Sequence, residues 1–214
     1  MLASNSPRRK QLLSLAGWTF SVLPVDVDER PMQGESGDKY VLRLAESKAR
    51  ASAALIAGEA VVIAADTCVV DGEELLGKPV DQSEAESMLR RLRGKVHQVY
   101  SALAVMCMPE GALFTDLCVT DVPMRDYSDR EMLQYIASGG PLDKAGAYAI
   151  QHAGFHPVEG MQGCFANVMG LPLCHLQRTL QRLGISPRVD LPAACQSELD
   201  YRCPVFHKIL ESAQ

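Results

Sequence analysis

Several short stretches of this chain carry side chains that a reaction could use, and most of them break a local rule. In LASNSPRRKQLL, Ser6 and Pro7 read as the cap and first turn of a helix, and Arg8 and Arg9 follow in that same turn. Cations there face the positive end of the helix dipole, at a cost of about 0.3–1 kcal/mol each. Free N–H groups at a helix start suit phosphate, and two arginines deepen such an anion site. The alternative is a pair of solvated arginines. Lys48, in VLRLAESKARASAAL, shares a helix face with Val41, Leu44 and Leu55. It either snorkels to solvent or sends its ammonium into a cleft at the edge of the core. Asp66 closes the apolar run AVVIAAD, and ligands of open α/β sheets gather at the carboxyl ends of strands. It reads as a metal ligand, as a base, or as a cap for the following turn. Asp26, Asp28 and Glu29 put acid into a loop after a short strand, and Lys78 stands between Gly77 and Pro79, which fix its backbone.

Separated cations for phosphate, with separated carboxylates for a hard divalent ion, are the composition of a nucleotide hydrolase. Neither GxxxxGKS nor GxGxxG is present, so a P-loop or Rossmann site is unsupported. Cys195, Cys203 and His207 match no zinc spacing.

The elements that must position these groups follow from pattern. A helix after Ser6 ends at Gly17, and a long one runs from Asp38 to Gly58. TFSVL (19–23) and AVVIAA (60–65) read as strands, the second apolar enough for burial on both faces. VVDGEELL is a hairpin around a DG turn, and VHQVYSALAVMCM with ALFTDLCVTDVPM flanks a second turn at Pro109–Glu110–Gly111. Ser83 with Glu86, and Ser128 with Glu131, form capping boxes. GAYAIQ is a further strand candidate, and Leu173, Leu176, Leu180 and Leu183 stripe the last core helix. Strands and helices mix without strict alternation, which predicts an α/β fold with a mixed, twisted sheet. The 214 residues, 47% of them hydrophobic, suit one domain over 1–186 and a tail over 187–214.

A net charge of −5 argues against a sequence-independent nucleic-acid binder. No apolar run reaches the ~18–20 residues that span a bilayer, and the N-terminus has no signal-peptide pattern. Seven scattered cysteines without a CxxC pair read as reduced thiols in the cytoplasm.

Taken in order, LASNSPRR, VDE, LAESKARA, AADTCVV, GKP, LRGKVHQVYSA, PLDKAGAYAIQ and NVMGLPL give the chain a specific resemblance, from Leu2 to about Gly184. It resembles the Maf-like nucleoside triphosphate pyrophosphatases. The resemblance implies flanking helices and two lobes around a central cleft, as in inosine triphosphate pyrophosphatases. It also implies hydrolysis of a nucleoside triphosphate to monophosphate and pyrophosphate with a divalent cation (Mg2+, Mn2+ or Co2+), and a homodimer. SPRR, ADT and AIQ fit the branch acting on dTTP and UTP. The alternatives are another nucleotide such as 7-methyl-GTP, or a nucleotide-binding cell-division regulator with little turnover. By carry-over, Asp66 is the proton acceptor for water, and Arg8, Thr67 and Gln151 set substrate choice. Arg8, Arg9, Lys48 and Lys78 hold phosphates, while Glu29 and Asp66 are candidate metal ligands. Lys144 is the weaker candidate, serving to order the loop before Gln151. Family members carry apolar residues ahead of LAS, whereas here Met1 comes almost at once.

Overall fold

The computed structural model describes residues 1–211. Its centre is a sheet of order β2-β1-β3-β4, with β1 at Ala60–Asp71, β2 at Glu74–Leu76, β3 at Val96–Met108 and β4 at Ala112–Pro123. All these pairings are antiparallel, and one register line runs Thr67–Ser101–Cys118. Among the described residues, the parallel component expected of a mixed sheet is confined to Leu2, which bridges Val22 on one side and Ile63 on the other. That bridge is all that forms of the TFSVL strand.

The helices are α1 (Pro7–Ser14), α2 (Gly37–Ala53), α3 (Gln82–Leu92), α4 (Asp129–Ala137), α5 (Phe165–Val168), α6 (Leu173–Gln181), α7 (Leu191–Leu199) and α8 (Phe206–Glu211). Helix α2 stops at Ala53, so Leu55 lies beyond it and is exposed rather than on its apolar face. The cap of α3 is Asp81, whose side chain accepts from the Glu84 amide, in place of the Ser83–Glu86 box. The Ser128–Glu131 box forms in full. GAYAIQ is no strand: Ala145–Ala147 make a 3-10 turn. Gly146 has φ +67° there, and a Cβ would come within 2.9 Å of Val69. The chain must bend away because it runs against β1.

Side-chain alternation along β1 explains its uninterrupted apolar run, since both faces are covered. One face, with Val62, Ala64, Cys68 and Val70, packs on Val41, Ala45, Ala49 and Ala53 of α2, where alanines let the helix lie close. The other face carries two separate clusters. Ile63, Ala65, Leu103 and Val105 pack with α1, α6 and α7. Val69, Val99 and Val122 pack with α3, α4 and the aromatic group Tyr127, Tyr135 and Phe155. These clusters are the two lobes, and the long strands run through both.

The described part of the tail, 187–211, is folded onto the first lobe. Leu191 and Leu199 are buried in that cluster, and the Arg188 amide donates to Ala16 O at 3.1 Å. Among the described residues, no helix is long and apolar enough to cross a membrane.

Candidate active site

One edge of β1 is paired with β3 from Ala60 to Val70. Among the described residues, the other edge is covered in two places. Leu2 lies against Ile63, where the Ala3 amide donates to Ile63 O and the Ile63 amide to Met1 O, both at 2.8 Å. Strand β2 covers Val69–Asp71. Among the described residues, no strand lies beside 64–68 between them. Asp66 and Thr67 occupy that gap, in mid-strand. Asp66 is therefore not at a strand's carboxyl end as expected. It is reachable because the outer edge opens, not because the strand stops.

Helix α2 builds the first half of the site. Lys48 continues the stripe of Val41 and Ala45, and its body is buried, with 8% of the residue exposed. Its Nζ lies 2.5 Å from Asp66 Oδ1 and 2.6 Å from Glu29 Oε1. It does not snorkel; the two carboxylates hold it in the cleft. The loop carrying Glu29 is pinned to the same helix. Tyr40 donates to Glu29 O at 2.9 Å, Arg43 to Arg30 O at 3.2 Å, and Ser52 to Leu23 O at 2.8 Å. Burial would raise the Glu29 carboxyl, but the hydrogen bond to Lys48 and the charges of Lys48, Lys78 and Arg9 outweigh it and hold the group below its usual value. Asp28 instead pairs with Arg30 on the surface, and Asp26 is exposed.

The second half approaches from the opposite face of β1. Arg9 does not reach into solvent. Its Nε donates to Gly170 O at 2.9 Å, and its terminal nitrogens donate to Ser4 Oγ at 3.3 Å and Thr67 Oγ1 at 3.2 Å. The first-turn conflict is thus half resolved inside the protein. The Ser6 cap bonds the Arg9 amide, while the Arg9 charge is answered by Asp66 and Glu29 across the strand edge. Gly170 has φ +105°, and a Cβ there would press on Thr67 Oγ1 at 3.3 Å and Arg9 Nε at 3.4 Å. Behind Thr67, Ser101 Oγ lies at 2.8 Å and donates on to Asn167 O at 3.1 Å. Asn167 Nδ2 donates to Val99 O at 3.0 Å and Thr120 Oγ1 at 2.9 Å. This polar belt runs between the two apolar lobes.

Thus Lys48, Asp66 and Glu29 form one connected set and Arg9 with Thr67 another, on either side of β1, and Asp66 and Glu29 act on Arg9 by charge alone. Arg8 is half-buried and acts by charge on Arg9, Asp143 and Tyr135. Lys78 is exposed and reaches Glu29 by charge; its loop is fixed where the Gly146 amide donates to Gly77 O at 3.0 Å. Gln151 is exposed beside His152, whose ring meets Tyr135 at 4.7 Å. Among the described residues, no hydrogen bond or ion pair links Gln151 or Lys78 to Asp66. Lys144 donates to Gly140 O at 2.8 Å and pairs with Asp143, so it orders its own loop.

Ser4, Ser101, Asn167 and Gly170 were not singled out by their spacing. Their signal was faint: one hydroxyl inside VYSALAV and one amide ahead of a glycine in NVMG.

Among the described residues, no three His, Cys, Asp or Glu side chains form a metal-holding group, and Cys195, Cys203 and His207 do not make one. The Glu29 and Asp66 oxygens nevertheless converge on one cationic nitrogen. Two hard carboxylates, completed by phosphate oxygens and water, suit Mg2+ or its neighbours.

A family model for "Maf-like protein" matches residues 1–183. The chain belongs to the Maf-like protein family. A Myxococcus xanthus protein named "dTTP/UTP pyrophosphatase" is 47% identical over 185 residues, spanning 86% of this chain and 92% of that one. Two relatives of the same name, from Citrifermentans bemidjiense and Geobacter sulfurreducens, are 43% and 44% identical over 184 residues. Each match covers 86% of this Maf-like chain, with 95% and 96% of the relative. A solved Mycobacterium abscessus structure, titled a nucleoside-triphosphatase / dITP/XTP pyrophosphatase, aligns with TM-score 0.35 at 15% identity. It covers 58% of this chain and 72% of that one, a level from which nothing follows here.

Proposed function

We propose that this protein hydrolyses dTTP and UTP to the nucleoside monophosphate and pyrophosphate, clearing normal and modified pyrimidine triphosphates from the cytoplasmic pool. The observation that carries the reading is the Lys48 ammonium shared by Asp66 and Glu29 in the open edge of β1, with Arg9 across the strand. The names of the relatives support it. The catalytic unit is 1–186, with 187–214 an appended segment, and it works as a homodimer.

A triphosphate brings several negative charges to a group that holds two carboxylates against Lys48, Arg9, Arg8 and Lys78. Lys48 exchanges a carboxylate for a phosphate oxygen, and Arg8, Arg9 and Lys78 hold the rest of the polyphosphate. Asp66, released from its ion pair, accepts the proton of the water that attacks the α-phosphorus. Glu29 and Asp66 would hold a divalent cation (Mg2+, Mn2+ or Co2+), which supplies charge neutralisation for the leaving pyrophosphate. Thr67 and Arg8 position the nucleotide. Gln151 offers a donor and an acceptor to the carbonyl and N–H edge of uracil or thymine.

A product assay tests this. Purified protein receives each common triphosphate and 7-methyl-GTP, with each of the three metals, and phosphate and pyrophosphate are measured separately. Pyrophosphate from dTTP and UTP is expected. Release of single phosphates, or a preference for 7-methyl-GTP, contradicts the reading.

A further inference from the structure

The tail grips the protein on both sides of the Arg9–Gly170 hydrogen bond. On the Arg9 side, Gln11 of α1 donates to Glu198 Oε1 of α7 at 2.7 Å, and the Arg188 amide holds Ala16 O just past that helix. On the Gly170 side, Tyr201 closes on the segment that leads into α5. The Gly163 amide donates to Tyr201 Oη at 3.2 Å, and that hydroxyl has Met161 O at 3.1 Å and Gly163 O at 3.0 Å to receive its hydrogen. The Phe165 ring lies 5.3 Å from the Tyr201 ring, and both side chains pack against the clusters of both lobes. Tyr201 lies beyond residue 183, where the match to the Maf-like family ends.

The end of α7 aims this side chain. Asp200 turns the chain left-handed there, with φ +44°, and the Tyr201 amide bonds back to Gln196 O at 3.1 Å. The backbone that Tyr201 holds has no room to retreat. A Cβ on Gly163 would come within 2.6 Å of Thr120 Cγ2, so the segment lies directly on β4. From Gly163 to Gly170 the chain is a tight turn bonded to itself. The Asn167 amide donates to Cys164 O and the Met169 amide to Phe165 O, both at 3.1 Å, and the Gly170 amide donates to Asn167 O at 2.8 Å. A turn so closed moves as one body, and a hold on Gly163 is a hold on Asn167 and Gly170. Those two residues supply the carbonyls that receive Ser101 Oγ at 3.1 Å and Arg9 Nε at 2.9 Å.

We propose that Tyr201 is a positioning residue for the polyphosphate grip: through its hydroxyl the tail braces the 161–170 segment and so sets Gly170 O against Arg9. The inference rests on the reading above, in which Arg9 holds phosphate. It gives the tail a part in binding although the tail offers no group to the substrate itself. A guanidinium presents its N–H donors in one rigid plane. Arg9 spends Nε on Gly170 O and one N–H on each of Ser4 and Thr67, so the place of Gly170 O decides where its remaining donors point. A shift of that carbonyl turns the fork off the phosphates. The cost falls on binding, because Asp66 and the water it activates stand on the other side of β1.

Tyr201→Phe in the full chain tests the brace, since it keeps the ring and removes only the hydroxyl. Asp190→Ala is the control: it removes the side-chain cap of α7, and with it tail stability, without touching Gly163 or Arg9. Three quantities are read well below the melting temperature of each protein: affinity for inorganic tripolyphosphate with magnesium by calorimetry, KM and kcat for dTTP, and the Arg9 Nε–H resonance in a nitrogen–proton spectrum. In Tyr201→Phe, tripolyphosphate affinity should fall and the dTTP KM rise by a common factor of about three to ten, with kcat changed by no more than about twofold and the resonance displaced. In Asp190→Ala the melting temperature should fall while all three readings stay at their wild-type values. The proposal is overturned if Tyr201→Phe leaves the tripolyphosphate affinity or the resonance at the wild-type value, if Asp190→Ala moves either as far, or if the wild-type protein does not bind tripolyphosphate. A wild-type protein that binds tripolyphosphate but releases no pyrophosphate from dTTP contradicts the proposed function instead, and affinity and resonance still decide the role of Tyr201.

Discussion

Asp66 and Thr67 are neighbours in one strand, yet the two sides of the sheet to which they point are built on opposite terms. On the α2 side three charges share one place. Lys48 and Asp66 are buried, while Glu29 sits on a loop with half its side chain exposed. On the other side the groups are neutral apart from Arg9, and hydrogen bonds run from Thr67 through Ser101 and Asn167 to Thr120. An ion pair can trade partners when a ligand arrives with its own charge. A hydrogen-bond chain of neutral groups in a low-dielectric interior has no charge to trade and is costly to break, and this one already leaves Asn167 Oδ1 buried without a partner among the described residues. The proposed chemistry therefore belongs to the charged side, while the belt fixes Thr67 and Arg9 by hydrogen bonds.

The contrast can be broken most forcefully at Lys48. Lys48→Met leaves Asp66 and Glu29 facing each other without their cation, which costs about 3–5 kcal/mol for a buried pair and less where Glu29 is wet. Urea unfolding at neutral pH measures it, and part of the loss should return as acid protonates a carboxylate. A loss under about 1 kcal/mol would mean that the triad is not the stressed element.

The belt side gives the next largest effect, through protons. His97, bonded to Tyr148 Oη at 2.8 Å, is lowered to about 4 by burial, with Asp71 opposing weakly. His175, in the other lobe, is lowered to about 4 by burial as well. Between an unfolded value of 6.5 and about 4, the unfolded chain binds more protons than the fold, so stability must fall as pH drops through that window. Each imidazole contributes up to about 3 kcal/mol across it. His97→Gln should flatten the melting-temperature profile between those limits; an unchanged slope would exclude His97.

Ser101→Ala sharpens the comparison at smaller scale. It leaves Thr67 Oγ1 and Asn167 O without their shared partner, worth about 1–3 kcal/mol of stability. A positioning role predicts a raised KM with a smaller change in kcat, and an untouched KM with normal stability would remove the belt from the site. Gln151→Ala has the smallest structural effect, within about 0.5 kcal/mol for an exposed side chain. It should change the ranking among triphosphates, and an unchanged ranking would take Gln151 out of base recognition.

What the sequence made legible follows the same division. Lys48 and Asp66 were readable because a charge on an apolar stripe or at an apolar run is conspicuous one residue at a time. Asp66 was nevertheless misplaced at a strand end, because AVVIAAD gives no sign that pairing with β3 continues to Val70. The belt was nearly silent: Ser101 and Asn167 matter through partners 34, 47, 66 and 68 positions away. GAYAIQ looked like a strand because its residues favour one, but a 3-10 turn begins it, with Gly146 at φ +67° and too close to Val69 for any Cβ. The tail lost its helical rhythm in sequence because α7 buries only Leu191 and Leu199.

The most direct test of the account is Asp66→Asn, measured twice on the same protein. One measurement is pyrophosphate release from dTTP; the other is affinity for a non-hydrolysable dTTP analogue with magnesium. With Asp66 as the base, turnover should fall by about 10²–10⁴-fold while affinity stays within about tenfold. Turnover near the wild-type rate, or a loss of affinity as large as the loss of turnover, would contradict it.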